Sequence, residues 1–257
     1  MQSLVFVIPA HGKSPYLEQC IQSLLAQTVI CSIRITTSTP SAWLLDIANK
    51  YGIEIFVNPE SNSIAEDWNF ALEQGGLNLI TIAHQDDIYL SDYAKNCIQY
   101  FQEHPDTAIA FSDLSELVNE KRMDWNLRIM IKKIMLRVSF LRNDTIKKSI
   151  SYWTLLSFGC PVPCPAVTYN RKLLIDFSFS KEFIVNLDWN AWVTLTKNNI
   201  KIGYVKKILV LHRIHMGAQT QKAIVSKQRE KEDIIIYQRF WPKWMVSCLI
   251  CLYRLGY

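Results

Sequence analysis

Several patterns that would assign this 257-residue sequence to a class at once are absent from it. No stretch reaches the roughly 18 consecutive apolar residues that a membrane-spanning helix needs. There is no G-x-G-x-x-G and no G-x-x-x-x-G-K-[ST], which removes the main support for a dinucleotide-binding or P-loop protein. The cysteines lack the second pair or the histidine spacing of a zinc site. No secretory signal precedes the first predicted strand, and we therefore expect a reduced, cytoplasmic protein.

The composition is that of a globular protein, with 49% apolar residues and a modest net charge of +5. A chain of this length can bury a core of good size, and it fits one α/β domain with an appendage. The distribution of the charge is more informative than its size, because the cations are concentrated in particular segments.

Short apolar runs alternate with helical patterns along the first half of the chain. Five runs are predicted to be strands: Leu4–Ile8, Ile33–Thr37, Ile53–Val57, Leu79–Ala83 and Thr107–Phe111. Four helices are predicted between them: one opened by Ser14 as cap and Pro15, one from Ser41 to Tyr51, one from the capping box Ser63–Glu66 to Gly75, and one from about Ser91. This alternation indicates an α/β fold with a mostly parallel, doubly wound sheet, in which ligands bind beyond the carboxyl ends of the strands.

The strand end at His84–Asp87 is the most informative of these loops. Asp86 and Asp87 are adjacent carboxylates directly after a buried strand, which is costly unless positive charge lies nearby. A divalent cation that also binds substrate phosphates would supply that charge. The alternative is a solvated turn in which one aspartate caps the next helix. Both interpretations stay open on this stretch alone.

The segment Lys121–Lys148 combines many cations with bulky apolar residues and only two acids. It predicts a basic amphipathic helix or helix pair, as expected for a segment in a lipid interface. Each Lys or Arg near an anionic leaflet contributes about 1 kcal/mol. The aromatic and basic segment Tyr237–Arg254 is of the same kind. The alternative for both is a helix packed on the core with a solvated basic face.

The second half holds two further candidates. Asp188 opens a predicted helix that runs to about Asn198, where it acts either as a cap or in chemistry. A predicted strand, Lys201–Leu211, leads into His212–His215. This segment presents imidazoles suited to a metal and a guanidinium suited to phosphate, unless these side chains are simply exposed in a loop.

Seven segments resemble, in the same order, motifs of the family 2 glycosyltransferases, which are inverting enzymes with the A-type nucleotide-sugar fold. They are Phe6–Gly12, Leu17–Thr28, Asn69–Leu72, His84–Asp87, Pro165–Arg171, Leu187–Trp192 and His212–His215. The resemblance spans about residues 3–220. This sequence departs from the family where Thr37–Thr39 replaces an acidic residue and where His84 replaces the first aspartate of the metal motif.

The resemblance implies a metal-dependent inverting transfer of a sugar from a nucleotide-sugar donor to a hydroxyl of a glycan acceptor. Asp188 takes the place of the catalytic base, and Asp86 with His215 would bind Mn²⁺ or Mg²⁺. The implied substrate-binding residues are Pro9, Ala10, His11, Thr37, Ser38, Asn69, His84, Asp87 and Arg213. A catalytically inactive glycan- or membrane-binding adaptor with the same fold is the alternative.

We expect four segments along the chain: a nucleotide-sugar-binding half (1–115), a basic amphipathic helical insertion (116–150), an acceptor-binding catalytic half (151–220) and C-terminal helices that associate with a membrane (221–257). The expected partners are a nucleotide-sugar, a polyprenyl-linked glycan acceptor and an anionic membrane surface, but no nucleic acid. The expected location is cytoplasmic, peripheral on the inner face of the cell membrane, in cell-surface polysaccharide synthesis.

Overall fold

The computed structural model describes residues 3–215 and 228–254. Its strands are β1 (Leu4–Ala10), β2 (Ser32–Thr37), β3 (Glu54–Val57), β4 (Leu79–Ile82), β5 (Ile88–Tyr89), β6 (Thr107–Val118), β7 (Lys121–Met123), β8 (Thr145–Ile146), β9 (Val167–Asn170) and β10 (Lys201–Ile214). Its helices are α1 (Leu17–Leu25), α2 (Ala42–Tyr51), α3 (Ile64–Gln74), α4 (Tyr93–Glu103), α5 (Leu127–Phe140), α6 (Ser149–Leu156), α7 (Leu187–Lys197), α8 (Gln228–Tyr237) and α9 (Lys243–Arg254). The predicted boundary at residue 220 lies outside the described residues.

The strands form one central sheet in the order β3-β2-β1-β4-β9-β6-β10-β5. Strands β3, β2, β1 and β4 are parallel, as the alternation of strands and helices predicts. Strand β9 lies antiparallel between β4 and β6, and β6 runs parallel to β10. Two short strands lie outside this order: β7 pairs with β6, and β8 pairs with β10. The predicted α/β fold class is confirmed, and β9 is what joins the second half of the chain to the first.

Strand β1 shows why its sequence is apolar throughout. Leu4, Phe6 and Ile8 are buried in a core on one face of the sheet, while Val5 and Val7 are buried in the core on the other. Because successive side chains of a strand point to opposite faces, a strand covered on both sides has no position for a polar residue.

Two of the predicted helix starts are confirmed by their hydrogen bonds. The Ser41 hydroxyl accepts the Leu44 backbone N–H at 3.3 Å, and Ser63 accepts that of Glu66 at the same distance. The prediction for α1 is wrong. This helix begins at Leu17, and Tyr16 stands at its cap position without a side-chain cap. The Ser14 hydroxyl accepts the Tyr16 N–H at 3.3 Å ahead of the helix and donates to a carboxylate at the end of β4.

The predicted basic helical segment is present only in part, as α5, which follows the β6–β7 hairpin. The prediction is wrong at both ends, because Lys121–Met123 pairs with β6 as strand β7 and Thr145–Ile146 pairs with β10 as strand β8. Ile129, Leu136 and Phe140 pack into the core, so part of the helix surface is buried. Within residues 3–215 and 228–254, no helix has the length and apolar content needed to cross a bilayer.

Helix α8 holds the loop that leads into α7. The buried Glu232 carboxylate accepts the backbone N–H groups of Ile184, Val185 and Asn186 at 2.9, 3.0 and 2.8 Å. The neighbouring Asp233 accepts a hydrogen bond from Nδ2 of Asn186 at 2.7 Å. Three backbone donors on one carboxylate fix the course of this loop, and therefore the position of the first turn of α7.

Asp233 predicts a pH-dependent stability. Burial raises the pKa of Asp233 from 3.8 to about 6, so the folded chain holds a proton that the unfolded chain releases. The free energy of unfolding therefore falls as the pH rises from about 4 to about 6, by up to ~3 kcal/mol. Asp233→Asn removes this loss. The variant should match the wild type at pH 4 and exceed it at pH 8 in urea denaturation, because the neutral amide needs no proton.

Asp46→Asn is the matched control, because it makes the same chemical change at an exposed position on α2. It should leave the pH dependence of unfolding unchanged. An Asp233→Asn variant that differs from the wild type by the same amount at both pH values would contradict the assignment.

Candidate active site

The loops that follow β1, β2 and β4 are joined to each other by side-chain hydrogen bonds. The backbone N–H of His11 donates to the Gln85 side chain, and the Gln85 amide donates back to the His11 carbonyl, both at 3.2 Å. The N–H of Gly12 donates to the Thr39 hydroxyl at 2.8 Å. Because these parallel strands end at the same edge of the sheet, the three loops form one continuous surface there.

Four of the predicted substrate-binding residues lie on this surface. Pro9 and Ala10 end β1, and Ala10 is in register with Thr37 at the end of β2. The hydroxyl of Ser38 donates to Asp67 on α3 at 3.3 Å. The structure thus brings Pro9, Ala10, Thr37 and Ser38 together with His11, as the strand-end argument predicts.

The two predicted metal ligands are neighbours. Nε2 of His215 lies 3.2 Å from Oδ2 of Asp86, and the Ser14 hydroxyl donates to Oδ1 of the same carboxylate. The Tyr16 ring packs edge-on against the His215 imidazole, with ring centroids 5.1 Å apart. The end of β4 and the segment after β10 therefore meet at a single carboxylate.

Asp87 is buried immediately behind this pair. It accepts the backbone N–H of Arg213 at 2.9 Å and lies 3.0 Å from Nδ1 of His212. Burial acts to raise the pKa of Asp87, but the charges and hydrogen bonds of His212, His84 and the Arg213 N–H outweigh it and lower that pKa. For His212 burial acts to lower the pKa, and Asp87 raises it above the ordinary value. The pair is therefore held in its charged form.

His84 packs beside Trp68, with ring centroids 5.3 Å apart. Burial lowers the pKa of His84, while the charges of Asp87 and Asp86 act in the opposite direction. Its Nε2 atom is buried and has no hydrogen-bond partner among the described residues. A buried polar atom of this kind is usually satisfied by water, an ion or a ligand, so His84 remains a candidate for substrate contact.

Two other predicted substrate-binding side chains contact the protein itself. Arg213 is only 3% exposed; it donates to the Asp86 carbonyl at 3.0 Å and to Glu120 and Gln19, and it lies over the Tyr16 ring at 4.2 Å. Burial of the guanidinium and the use of Nε, Nη1 and Nη2 by these three protein acceptors favour a positioning role.

The Asn69 side chain likewise makes its hydrogen bonds with backbone groups of the protein. Its amide donates to the Phe179 carbonyl at 3.0 Å and accepts the Phe179 N–H at 2.6 Å. This two-way contact fastens α3 to the segment that leads towards α7.

Asp188 lies in the first turn of α7 and is partly buried. Its Oδ1 accepts the N–H of Trp189 at 2.7 Å. Burial raises the pKa of Asp188, while the Trp189 N–H and the charges of Arg229 and Lys132 act in the opposite direction. Lys132 belongs to α5, so the basic helix also contributes to the electrostatics of this carboxylate.

Cys164 connects the two halves of the candidate site. It begins a short 3₁₀ turn that leads into β9. Burial raises the pKa of its thiol, and the charges of Asp188 and Asp87 raise it further. Both carboxylates are therefore near enough to the same buried thiol for their charges to act on it.

The donor set offers partial support for a divalent cation. Across the part of the chain that the structure describes, no cluster of three or more histidine, cysteine or acidic side chains could by itself hold a metal ion. Asp86 and His215 supply one oxygen-bearing and one nitrogen-bearing side chain. Mg²⁺ is typically held by one or two carboxylates with substrate phosphates and water completing its ligands, so this pair fits a cation shared with a diphosphate.

Sequence reasoning missed three of the residues that build this site. The sequence predicts a helix cap at Ser14, gives Gln85 no role, and indicates only a basic surface at Lys132. Gln85 lies inside the motif His84–Asp87, so its position is a usable signal. The roles of Ser14 and Lys132 depend on contacts that are distant in the sequence.

Comparisons with known proteins bear on the family and the fold of this chain. The family model described as glycosyl transferase family 2 matches residues 5–162, which is more than half of the chain. A search of curated protein sequences found no significant match.

Several solved structures share the fold at low sequence identity. S. aureus TarS 1–349 in complex with UDP-GlcNAc has a TM-score of 0.65 at 16% identity, with 93% of this chain and 71% of that chain covered. The mannosyltransferase PcManGT from Pyrobaculum calidifontis, in complex with GDP-Man and Mn²⁺, has a TM-score of 0.62 at 10% identity, with 91% and 62% covered. GalNAc-T7 with UDP, GalNAc and Mn²⁺ has a TM-score of 0.58 at 8% identity, with 91% and 49% covered.

Asp87→Asn should destabilise the protein. The substitution removes the buried carboxylate that pairs with His212, whose side chain is 35% exposed. Because solvent screens the exposed partner, we expect a loss smaller than the ~3–5 kcal/mol of a fully buried ion pair broken from one side. Guanidinium denaturation near pH 6 measures the loss. The double variant Asp87→Asn/His212→Gln should lose less than the two single variants added together, because the two groups are coupled. Additive losses, or no loss from Asp87→Asn, would show that the pair is not structural. Asp46→Asn again serves as the exposed control.

Proposed function

The chain belongs to glycosyltransferase family 2, and we propose that it transfers a sugar from a nucleotide-sugar donor to a hydroxyl of a glycan acceptor with inversion at the anomeric carbon. The observation that carries this proposal is the pairing of Asp86 with His215, together with the nearness of Asp188 and of Asp87, the neighbour of Asp86, to the same buried thiol of Cys164. The Asp86–His215 pair would hold the leaving diphosphate, and the surroundings of Asp188 would receive the acceptor.

The joined loops after β1, β2 and β4 are the proposed donor site. Their backbone groups and the Ser38 hydroxyl would offer contacts for the nucleoside, and Nε2 of His84 is a buried nitrogen without a partner in the described residues. Thr37 is only 3% exposed and its hydroxyl accepts the Thr39 N–H at 3.0 Å, so it would shape the loop from beneath. The solved structures of TarS with UDP-GlcNAc and PcManGT with GDP-Man support a nucleotide-sugar as the donor class.

Asp86 and His215 are the residues that would hold Mn²⁺ or Mg²⁺. When bound, the cation would stabilise the charge that develops on the diphosphate. Ser14 orients the Asp86 carboxylate by donating to Oδ1, and the Arg213 guanidinium fixes the backbone of Asp86 through its carbonyl. We therefore assign Arg213 a positioning role between α1, the β6–β7 turn and the end of β4.

Asp188 is the proposed general base. Its carboxylate accepts the proton of the acceptor hydroxyl as that oxygen bonds to the anomeric carbon, while the bond from this carbon to the diphosphate oxygen breaks. Attack from the face opposite the leaving group inverts the centre. A pKa raised by burial makes Asp188 a stronger proton acceptor than an exposed aspartate.

The proposed acceptor is a glycan carried on a polyprenyl lipid, and the proposed location is the inner face of the cell membrane, in cell-surface polysaccharide synthesis. The exposed cations of α5 support this proposal, because a lipid-linked acceptor brings its anionic phosphate to the enzyme at a membrane surface.

Asp188→Asn should lower turnover by about 10²–10⁴-fold, the usual contribution of a general base. Binding of the nucleoside diphosphate should be unchanged, because Asp188 does not face the donor in this mechanism. Transfer and donor hydrolysis, followed with a panel of nucleotide-sugars, measure the first effect, and calorimetry measures the second.

Asp176→Asn is a suitable control, because this aspartate is exposed and lies in the segment before α7. It should keep full turnover. Unchanged turnover in Asp188→Asn would remove Asp188 from the role of base.

Asp86→Ala should abolish the effect of metal on nucleotide binding. Calorimetric titration of a nucleoside diphosphate with Mn²⁺ and with EDTA should give different affinities for the wild type and the same weak affinity for Asp86→Ala. Asp46→Ala should behave as the wild type does. Equal affinity of the wild type in Mn²⁺ and EDTA would contradict metal dependence.

The inactive-adaptor alternative rests on the substitution of His84 for an aspartate in the metal motif. It expects nucleotide or glycan binding without any turnover in the wild type. The same nucleotide-sugar panel separates the alternatives, because any acceptor-dependent release of nucleoside diphosphate that Asp188→Asn abolishes supports the enzyme.

A further inference from the structure

Helix α5 is apolar on two opposite sides. One side, with Ile129, Leu136 and Phe140, is buried in the core. The other side carries four exposed residues at intervals of four, three and four positions: Leu127 (64% exposed), Ile131 (48%), Ile134 (54%) and Val138 (53%). We call these four residues the outer stripe. A surface helix normally packs one apolar stripe against the core and presents polar residues to water. A second, exposed apolar stripe therefore indicates a surface that binds a partner.

Cations border the outer stripe on both sides. Arg128 lies about 90° round the helix from the centre of the stripe on one flank, and Arg137 lies about 90° from it on the other. Lys132 and Lys133 lie further round on the same two flanks, towards the buried side, and all four cations are exposed. The helix contains no acidic residue. Trp125 and Leu141, which are 73% and 72% exposed, extend the apolar surface beyond the two ends of the helix.

The charge pattern identifies the kind of partner. A second copy of this chain, docked by the same face about a two-fold axis, would bring four cations against four cations. A nucleic acid would match the charge but would leave the outer stripe in contact with phosphate and water. An anionic lipid surface satisfies both features, because its acyl boundary takes the apolar residues and its headgroups take the cations.

We propose that the outer face of α5 lies in the headgroup region of an anionic lipid bilayer, parallel to its plane. The outer stripe is about 16 Å long at 1.5 Å per residue, which suits a helix lying on a membrane and is far too short to cross one. This proposal deepens the proposed function and rests on it only in making the bound lipid surface the source of the acceptor.

The same helix comes near the proposed active site. Lys132 is near enough to Asp188 and His212 for its charge to act on both. A bilayer that contacts α5 would therefore lie near these residues, and the phosphate of a membrane-anchored acceptor would meet Lys132 as its hydroxyl meets Asp188.

The test is co-sedimentation of the full chain with phosphatidylcholine vesicles that contain or lack phosphatidylglycerol. The wild type should bind the anionic vesicles, and raising the salt from about 0.1 M to about 1 M should release it, because the Debye length falls from ~10 to ~3 Å. Lys133→Gln/Arg137→Gln should weaken binding roughly 30-fold, since each cation near an anionic leaflet contributes about 1 kcal/mol. Ile131→Ser/Ile134→Ser should weaken it at least tenfold.

Matched controls remove the same groups elsewhere on the surface. Lys172→Gln/Lys206→Gln deletes two exposed cations, and Leu45→Ser/Leu77→Ser deletes two apolar side chains that are 49% and 54% exposed. Both should bind vesicles as the wild type does. Losses in the controls equal to those in the α5 variants, or equal binding to neutral and anionic vesicles, would overturn the proposal.

Two further measurements separate this proposal from its rivals. Donor hydrolysis without lipid should be the same in the α5 variants and the wild type, so an inactive wild type that still binds vesicles refutes the proposed function alone. Sedimentation velocity reports self-association. A wild-type dimer that Ile131→Ser/Ile134→Ser converts to a monomer, without vesicle binding by either protein, would assign the outer stripe to a second copy and overturn the bilayer.

Discussion

The site depends on one buried ionic contact. Asp87, at the end of β4, accepts hydrogen bonds from His212 and from the backbone of Arg213, at the end of β10. A carboxylate is buried at high cost unless it is paired and hydrogen-bonded, so these two strand ends are held in a single relative position. Asp86 and His215 are close neighbours of this contact in the sequence, and their separation of 3.2 Å follows from it. The proposed donor site is thus assembled from two distant parts of the chain by a carboxylate that itself faces the interior.

The features that the sequence predicts correctly are local ones. Strands of the parallel half read as apolar runs because both of their faces are buried, and helices α2 and α3 begin at serines whose hydroxyls accept a backbone N–H three residues later. Asp86 and His215 were paired through the order of motifs along the chain, and the structure brings them together. In each case the signal lies within a few residues or in a fixed order of segments.

The features that the sequence does not predict depend on contacts between distant segments. Ser14 precedes a proline and a helix, and only the approach of β4 turns its hydroxyl towards Asp86. Arg213 lies in a motif suited to phosphate, but Gln19 and Glu120 take its donors. Glu232 lies on α8, a helix rich in charged residues. The residues next to it in the sequence do not indicate that its carboxylate accepts three backbone N–H groups from the loop before α7. Hydrogen-bond partners of this kind are set by the tertiary fold and produce no periodic pattern in the sequence.

The environments of Asp87 and Asp188 suit these two carboxylates to different roles. The pKa of Asp87 is lowered because His212, His84 and a backbone N–H outweigh its burial, so this group stays ionised and holds the fold. The pKa of Asp188 is raised because burial outweighs the Trp189 N–H and the nearby cations, so this group has the greater affinity for a proton. Sites that move protons commonly contain titratable groups whose environments shift their pKa values in opposite directions. By that criterion Asp188 is suited to accept a proton from a substrate, whereas Asp87 is suited to keep its charge throughout.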